Sequence, residues 1–349
     1  MAQRGKVKLK RSGLNEEAMV FTMAEEGRSI WRSRSQPVVT YLHGGVILLL
    51  LVLCACTSAR SQQPSGIRVV STIAQIGCLA SEIGGNRISS EVLVRGEINP
   101  HSYELVKGDD EKIQQADLLL YNGLGLEHGA SVVSLVRAHP NALGVADAFQ
   151  KLHPDKILWK GQVPDPHVWM DVALWAEAVD PIADKLCALD PAGQEEFRAR
   201  AQVLKQKMLQ TNEEMFAVLQ HVPAEKRYLI TSHDAFGYFT RSYLAVPGET
   251  AWQERFSAPE GLAPDGQLNP ADLKAIILCL QKHKIEILFP ESSVSRDSIR
   301  KLAAAGRELG LNIRICQDVL YGDTFRGTYL DAMKHNAETI ARGLDGSSR

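Results

Sequence analysis

The sequence predicts an α/β protein of two lobes, each built on a parallel sheet, with one long rigid helix joining them. Three observations lead to this prediction. Short apolar segments alternate with segments of helical spacing from residue 67 onwards, which favours parallel sheets covered on both faces. A helical pattern then runs from Pro191 to His221 with no further proline. Strand–helix alternation resumes at residue 227.

The first lobe is predicted over residues 67–190. Residues 67–73 are rich in β-branched side chains and predict a strand. Residues 74–85 have helical spacing and end in a glycine pair, which is a common helix stop. The other elements predicted for this lobe are a strand at 89–96, a helix with an acidic first turn at 109–116, and strands at 117–123 and 143–147.

The connecting helix is predicted at 191–221 and the second lobe at 222–345. Thirty residues of helix are about 45 Å long, enough to cross a small domain, so the helix is predicted to be a rigid connector. Residues 246–268 are rich in proline and glycine and predict a loop. The elements predicted around it are strands at 227–233, 285–291 and 312–318, and helices at 234–244, 269–283, 295–310 and 327–344.

The N-terminus has the pattern of an export signal. Residues 44–53 form an uncharged apolar run after a basic stretch at 28–34. The run is shorter than the about 20 residues that span a bilayer, but it suits the apolar region of a signal peptide. Leu53, Cys54, Ala55 and Cys56 follow.

These four residues match a bacterial lipoprotein cleavage box with Cys56 as the lipidated residue. The alternative is a plain secretory signal with incidental cysteines. Residues 1–56 are therefore predicted to be a leader, with Met19 or Met23 as alternative starts, and 57–66 a flexible tether. The expected location is the periplasmic face of the cell membrane, lipid-anchored or soluble in the periplasm.

Composition and cysteine spacing limit the classes of function. The 349 residues carry a formal net charge of −2, and no basic stripe follows the leader, so no nucleic-acid partner is expected. The four cysteines after the leader have no zinc-type spacing. An exported protein can form disulfides, and the sequence leaves a bond between Cys279 and Cys316 open.

Three histidines occur in similar settings far apart in the chain. They end the segments Asn99-Pro100-His101, Asp165-Pro166-His167 and Thr231-Ser232-His233, each between a strand-like and a helix-like run. Imidazole is the commonest protein ligand of borderline divalent metals, so their convergence would suggest a metal site. Six other histidines are predicted to be ordinary surface or core residues: His128, His139, His153, His221, His283 and His335.

Seven motifs in order carry a resemblance to a known family. They read INPHSYEL, NGLGLE, PDPHVWMD, ITSHDAFGYF, FPESSVS, LYGDTF and TYLDAMKHNAETI. The chain resembles the metal-binding lipoproteins that serve ABC importers of zinc, manganese and iron, a ZnuA/TroA/PsaA-like family, and most of all the TroA and YtgA type. The resemblance implies one metal in the cleft between the lobes, with His101 and His167 from the first lobe and His233 and Asp323 from the second. The LYGD motif favours Asp323 over Asp318.

Three neutral imidazoles and one carboxylate would leave a divalent ion with a charge of about +1. Zinc, manganese and iron all suit such a donor set, whereas copper(I) does not because thiolate is absent. A metal-bound histidine donates its other ring N–H to an acceptor, and Glu291 is the candidate for this role. The alternative for Glu291 is a carboxylate that only begins a helix.

The resemblance implies a monomeric protein that captures a metal ion and delivers it to an ABC importer permease, with no enzymatic activity. The alternatives are a surface adhesin and a zinc hydrolase, although no HExxH motif is present. Residues 129–164 lie between the first two ligands and contain only two histidines, His139 and His153. They therefore lack the His-rich loop that many zinc-dedicated relatives carry. This favours manganese or iron. Binding is expected to weaken below about pH 6.5 as histidines protonate.

Overall fold

The first lobe contains a four-stranded parallel sheet. The computed structural model describes residues 66–264 and 270–346. The strands in chain order are β1 Ile67–Ser71, β2 Ile88–Val92, β3 Leu118–Tyr121 and β4 Ala142–Gly144. They lie in the order β2-β1-β3-β4. The strand order therefore reverses between β1 and β3, and such a switch point places a binding crevice at the carboxyl ends of the strands.

The central strands are apolar on both sides because helices cover both faces of the sheet. In β3, Leu118 and Leu120 join the main core, whereas Leu119 joins a smaller cluster on the other face. In β1, Val69 and Val70 divide in the same way. The helices of this part are α1 Ala74–Gly84, α2 Asp109–Gln115, α3 Ala130–Ala138 and α4 Val145–Leu152.

A small hairpin follows that the sequence analysis did not anticipate. Its strands β5 Trp159–Lys160 and β6 Val163–Pro164 pair antiparallel and lead directly to His167. Short helical turns then connect to α5 Val179–Leu189.

The connecting helix α6 Gln194–Gln220 has 27 residues and is about 40 Å long. It lies within the predicted range 191–221. Its buried side chains recur every three or four residues, as expected for one stripe that faces the core, and all but Thr211 are apolar: Phe197, Ala201, Leu204, Met208, Thr211, Met215 and Leu219. The stripe packs against α1 and α5 of the first lobe and against the last helix of the second lobe, α9 Tyr329–Asp345. Because α6 is held on both sides, it joins the lobes as a rigid element.

The second lobe repeats the parallel arrangement with much shorter strands. These are β7 Leu229–Ile230, β8 Phe256–Ser257, β9 Ile287–Leu288 and β10 Arg314–Ile315. The pairs β7–β8 and β9–β10 are parallel, and Phe289 N donates to Ile230 O at 2.8 Å to connect them. The helices α7 Pro270–His283 and α8 Asp297–Glu308 pack beside them. The predicted two-lobed α/β class is confirmed.

Of the local predictions in this lobe, one was wrong and one was only partly right. Strand β8 lies inside residues 246–268, where the proline and glycine content predicted only loop. The predicted helix at 234–244 is an α-helical turn at Gly237–Phe239 followed by a wider turn at Thr240–Leu244.

The cysteines of the described residues are all free. Cys279 packs against the smaller cluster around α7 and α8, whereas Cys316 belongs to the main core, so the two thiols join different clusters. Within the described chain, no helix is both long and apolar enough to cross a bilayer. The lobe boundaries stay predictions, and Cys56 lies outside the described residues.

Candidate metal centre

His101, His167, His233 and Asp323 come together between the two lobes. One nitrogen or oxygen atom of each lies within 4.8 Å of those of the other three. All four residues are buried, with at most 2% of their surface exposed. His101 and His167 come from the first lobe, and His233 and Asp323 from the second. His101, His233 and Asp323 follow parallel strands of their lobes, whereas His167 follows the antiparallel β5–β6 hairpin.

The distances among these atoms suit a metal ion at their centre. Asp323 Oδ2 lies 3.6 Å from His101 Nε2 and 3.3 Å from His233 Nε2, and Asp323 Oδ1 lies 3.4 Å from His167 Nε2. The Nε2 atoms of His101 and His167 are 3.3 Å apart. Metal–ligand bonds of about 2.0–2.1 Å give tetrahedral edges of about 3.3–3.4 Å. The residues present therefore fit a transition metal held by these four side chains, with Asp323 contributing one or two oxygens.

Asp323 is the centre of negative charge. Both its carboxylate oxygens are buried without a hydrogen-bond donor in the described residues. Burial opposes ionisation, but the His233 and His101 imidazoles hold the pKa of Asp323 well below its usual range. A buried ionised carboxylate without donors is costly unless a cation neutralises it.

In the first lobe, His167 is anchored by Asp165. Asp165 Oδ1 accepts the main-chain N–H of His167 at 2.9 Å and lies 2.7 Å from His167 Nδ1. Burial alone would lower the pKa of His167, but the charge of Asp165 and then that of Asp323 raise it to about 9. Asp165 was not among the site residues predicted from the sequence. Its signal was the Asp-Pro-His turn, in which the acidic side chain can bond two residues ahead.

In the second lobe, Glu291 anchors His233 in the same way. Glu291 Oε1 accepts the main-chain N–H groups of Ser232 at 2.9 Å and His233 at 2.8 Å. Glu291 Oε2 lies 2.7 Å from His233 Nδ1. Although burial opposes it, Glu291 and Asp323 raise the pKa of His233 well above its usual value. The two atoms are close, but their hydrogen-bond geometry is not met in the described residues, so the acceptor role of Glu291 stays a prediction.

His101 lacks such an anchor. Asn99 Oδ1 accepts the main-chain N–H of His101 at 2.9 Å, in a turn like that of Asp165. The Nδ1 atom of His101, however, is buried and has no partner in the part of the chain described. Burial lowers the pKa of His101 to about 4, against the opposing effect of Asp323.

Residues 69–343 match the profile of the ZnuA family, described as zinc-uptake complex component A, periplasmic. The chain belongs to the ZnuA family. It is 33% identical to the metal-binding protein YtgA of Chlamydia trachomatis over 86% of this chain and 94% of YtgA. It is 31% identical to the manganese-binding lipoprotein MntA of Bacillus subtilis over 83% of this chain and 94% of MntA.

Two solved structures of ZnuA-family relatives share the fold. The crystal structure of Fe(III)-bound YtgA from Chlamydia trachomatis matches with a TM-score of 0.76 and 32% identity, covering 80% of this chain and 98% of that one. The periplasmic zinc-binding protein TroA from Treponema pallidum matches with a TM-score of 0.72 and 30% identity, covering 80% and 99%. The predicted resemblance to substrate-binding proteins of ABC metal importers is confirmed.

In this ZnuA-family chain the Asp323 loop is held by the opposite lobe. Trp169 Nε1 donates to Gly322 O at 3.1 Å, and Gln75 Nε2 donates to Asp323 O at 2.8 Å. Trp169 is buried, and this hydrogen bond ties the lobes together. Asp318, the alternative to Asp323, pairs with Arg342 at 3.4 Å on the surface and lies outside the cluster.

Proposed function

We propose that the chain is an extracytoplasmic binding protein that captures one transition-metal ion and delivers it to an ABC importer permease. The ligands are His101, His167, His233 and Asp323. The buried Asp323 carboxylate carries this proposal, because three imidazole Nε2 atoms surround its two oxygens and no donor among the described residues satisfies them.

The arrangement suits binding and release better than catalysis. A catalytic zinc needs an open coordination position and a nearby general base. Here four buried side chains surround the metal position, and the adjacent carboxylates of Asp165 and Glu291 already accept hydrogen bonds from histidine N–H groups. We therefore infer a role other than hydrolysis, and the family to which the chain belongs points to metal uptake.

The cargo is manganese, zinc or iron. The relatives are associated with different ions: the YtgA crystal structure is Fe(III)-bound, MntA is named for manganese and TroA for zinc. Binding strength alone does not choose among them, since zinc outcompetes manganese and iron(II) in most nitrogen and oxygen sites. Residues 129–164 contain only His139 and His153 and no His-rich loop, which favours manganese or iron as the physiological cargo.

The protein acts as a monomer outside the cytoplasm, anchored to the membrane by lipid on Cys56. The apolar run at 44–53, which ends at Leu53, and the Ala55 and Cys56 that come after it support this location. MntA, a relative of similar length, is itself named a lipoprotein. The tether at 57–66 would connect the anchor to the lobes.

Metal content tests the proposal. The mature protein, purified without chelator and loaded with Mn²⁺, Zn²⁺ or Fe²⁺, is expected to contain one ion per chain by elemental analysis. A double variant with His101→Ala and His167→Ala should lose it, because half the ligand set is gone. The control His221→Ala removes an exposed histidine at the end of α6 and should bind like wild type. Full metal content in the double variant would reject this site.

A further inference from the structure

A cavity of about 560 Å³ lies beside the metal centre. Its walls come from the loop after β3, from helices α3 and α4, from the β5–β6 hairpin and, in the second lobe, from Leu262 and Ala263. Of the four proposed ligands, only His101 lines this cavity. The cavity therefore meets the site at one ligand alone.

His101 is also the one ligand histidine whose Nδ1 atom has no carboxylate beside it. Asp165 and Glu291 anchor the Nδ1 atoms of the other two imidazoles at 2.7 Å. The Nδ1 atom of His101 has no partner in residues 66–264 and 270–346. Rotation of the His101 ring would break no hydrogen bond at this atom, so His101 is the ligand best able to turn toward the cavity.

A second imidazole faces the same cavity. His128 is exposed and lines the cavity, and its ring centroid lies 6.0 Å from that of His101. The ligand rings of His101 and His233 are separated by a similar 6.1 Å. The main-chain N–H of His128 donates to His101 O at 3.0 Å, which fixes the two residues side by side. The function proposed above leaves His128 without a role.

The loop that carries His128 is firmly placed. The Glu127 carboxylate accepts hydrogen bonds from Thr72 Oγ1 and Asn122 N at 2.8 Å and from Gly123 N at 3.1 Å. Leu124 has a φ of +51°, an unfavourable value for a side chain of this kind, and its N–H donates to Asp147 Oδ1 at 2.8 Å. Such strain persists only where surrounding contacts hold the backbone in place, and it is common at functional sites.

We propose that the cavity is the path by which the metal ion enters and leaves, and that His128 is a transit ligand on it. The inference rests on the proposed function. A hydrated ion exchanges one water for the imidazole of His128 at the surface. It then exchanges further waters for His101 and the inner ligands as it moves inward. Release follows the same steps in reverse, so His128 lowers the barrier in both directions and is not a ligand of the final site.

Rate measurements distinguish a transit ligand from a resident one. With Mn²⁺ and Zn²⁺ as probes, stopped-flow association and release to a chromogenic chelator are measured for wild type, His128→Ala and the control His221→Ala. We expect His128→Ala to slow association and release by the same factor, on the order of tenfold, because one barrier governs both. The Kd is expected to stay unchanged. His128→Asp, which restores a metal-binding group, should recover most of the lost rate.

Two results would overturn the inference. Rates equal to wild type in His128→Ala would mean that the ion does not pass this residue. A weaker Kd with unchanged association would make His128 a resident ligand. Failure of wild-type protein to bind either ion would instead refute the proposed function, and the transit role with it.

Discussion

The two lobes build the same histidine–carboxylate pair by different routes. In the first lobe, Asp165 stands two residues before His167, and a single oxygen, Oδ1, accepts the histidine's main-chain N–H and lies 2.7 Å from its Nδ1. In the second lobe, Glu291 lies 58 residues from His233 and uses one oxygen for the main-chain N–H groups and the other for Nδ1. The first pair is a local turn, whereas the second exists only when β7 and β9 are adjacent.

His101 shows which part of this arrangement controls the ring. Its Asn99-Pro100-His101 turn holds the main-chain N–H as Asp165 does, yet the ring Nδ1 is unpartnered in the described chain. The carboxylate, rather than the turn, therefore orients the imidazole and keeps a proton on Nδ1, which leaves Nε2 free for a metal. The site combines two anchored ligands with one that can move.

The largest expected effect comes from removing the carboxylate charge in each lobe. Glu291→Gln offers one oxygen where two are used, so either the main-chain N–H groups or His233 Nδ1 lose their acceptor. We expect metal affinity to fall by about 100-fold. Asp165→Asn keeps the one oxygen that accepts both bonds and makes the turn like that of Asn99, and we expect a loss of about tenfold. Isothermal titration with one metal measures both.

Equal losses in the two variants would contradict the idea that the lobes differ in how their carboxylates are used. The double variant His101→Ala, His167→Ala provides the reference for a site that no longer binds.

A smaller effect is expected from replacing the glycine that lies against each histidine–carboxylate pair with alanine. A Cβ on Gly322 would lie 2.3 Å from Glu291 Oε2 and 3.3 Å from His233 Cε1. Gly322→Ala should therefore displace the pair, with a cost to folding of about 1–3 kcal/mol and weaker metal binding. A Cβ on Gly237 would lie 3.0 Å from Asp165 Oδ2. Gly237→Ala should be close to neutral, because alanine favours the helical turn there by up to about 1 kcal/mol.

Thermal unfolding and titration of both alanine variants check this order. If Gly237→Ala proved more damaging than Gly322→Ala, the Glu291–His233 pair would not be the more tightly packed of the two pairs.

The pH dependence should be the most gradual effect. The pKa of His167 is raised to about 9, chiefly by Asp165 against the opposing effect of burial. This stabilises the metal-free protein fully below pH about 6.5, the ordinary histidine value. The stabilisation is lost as pH rises toward 9. A metal ion must displace the same proton, so affinity should rise over this window, by up to about tenfold per pH unit for each proton released.

The melting temperature of the metal-free protein should thus decline from pH 6.5 to 9, while the increase caused by metal grows. Thermal scans with and without Mn²⁺ measure both trends. In Asp165→Asn the window should move to lower pH, because the charge that raises the pKa of His167 is gone. An unchanged window in this variant would contradict the role of Asp165. The sequence alone predicts weaker metal binding only below about pH 6.5. The histidine–carboxylate pairs extend the pH range in which binding weakens upward, toward pH 9.

The sequence predicted the elements with long periodic patterns better than those that depend on distant neighbours. The helix at 191–221 and strand β3 were visible because their side chains repeat over many residues or are apolar throughout. Strand β8 was missed, since two residues between prolines and glycines carry no pattern of their own. The two-residue strands of the second lobe are stabilised by their neighbours, which local sequence does not reveal.

The same distinction applies to the site. The three histidines and Asp323 were nominated through motifs, and the structure brings them together. Asp165 was missed although its turn was quoted, because the sequence does not show where a side chain points. His128 was grouped with ordinary histidines, and only the shared cavity and the 6.0 Å ring separation distinguish it from them. The contact of Trp169 with Gly322 links residues far apart in the chain and had no local signal.

The most direct test of the central claim is to locate the ion. Crystals of the mature protein loaded with Mn²⁺ or Zn²⁺ are measured at the absorption edge of the metal. We predict one anomalous peak per chain, about 2.0–2.2 Å from the Nε2 atoms of His101, His167 and His233 and from a carboxylate oxygen of Asp323. A peak elsewhere in the chain, or one coordinated by Asp165 or Glu291 in place of a histidine, would contradict the account.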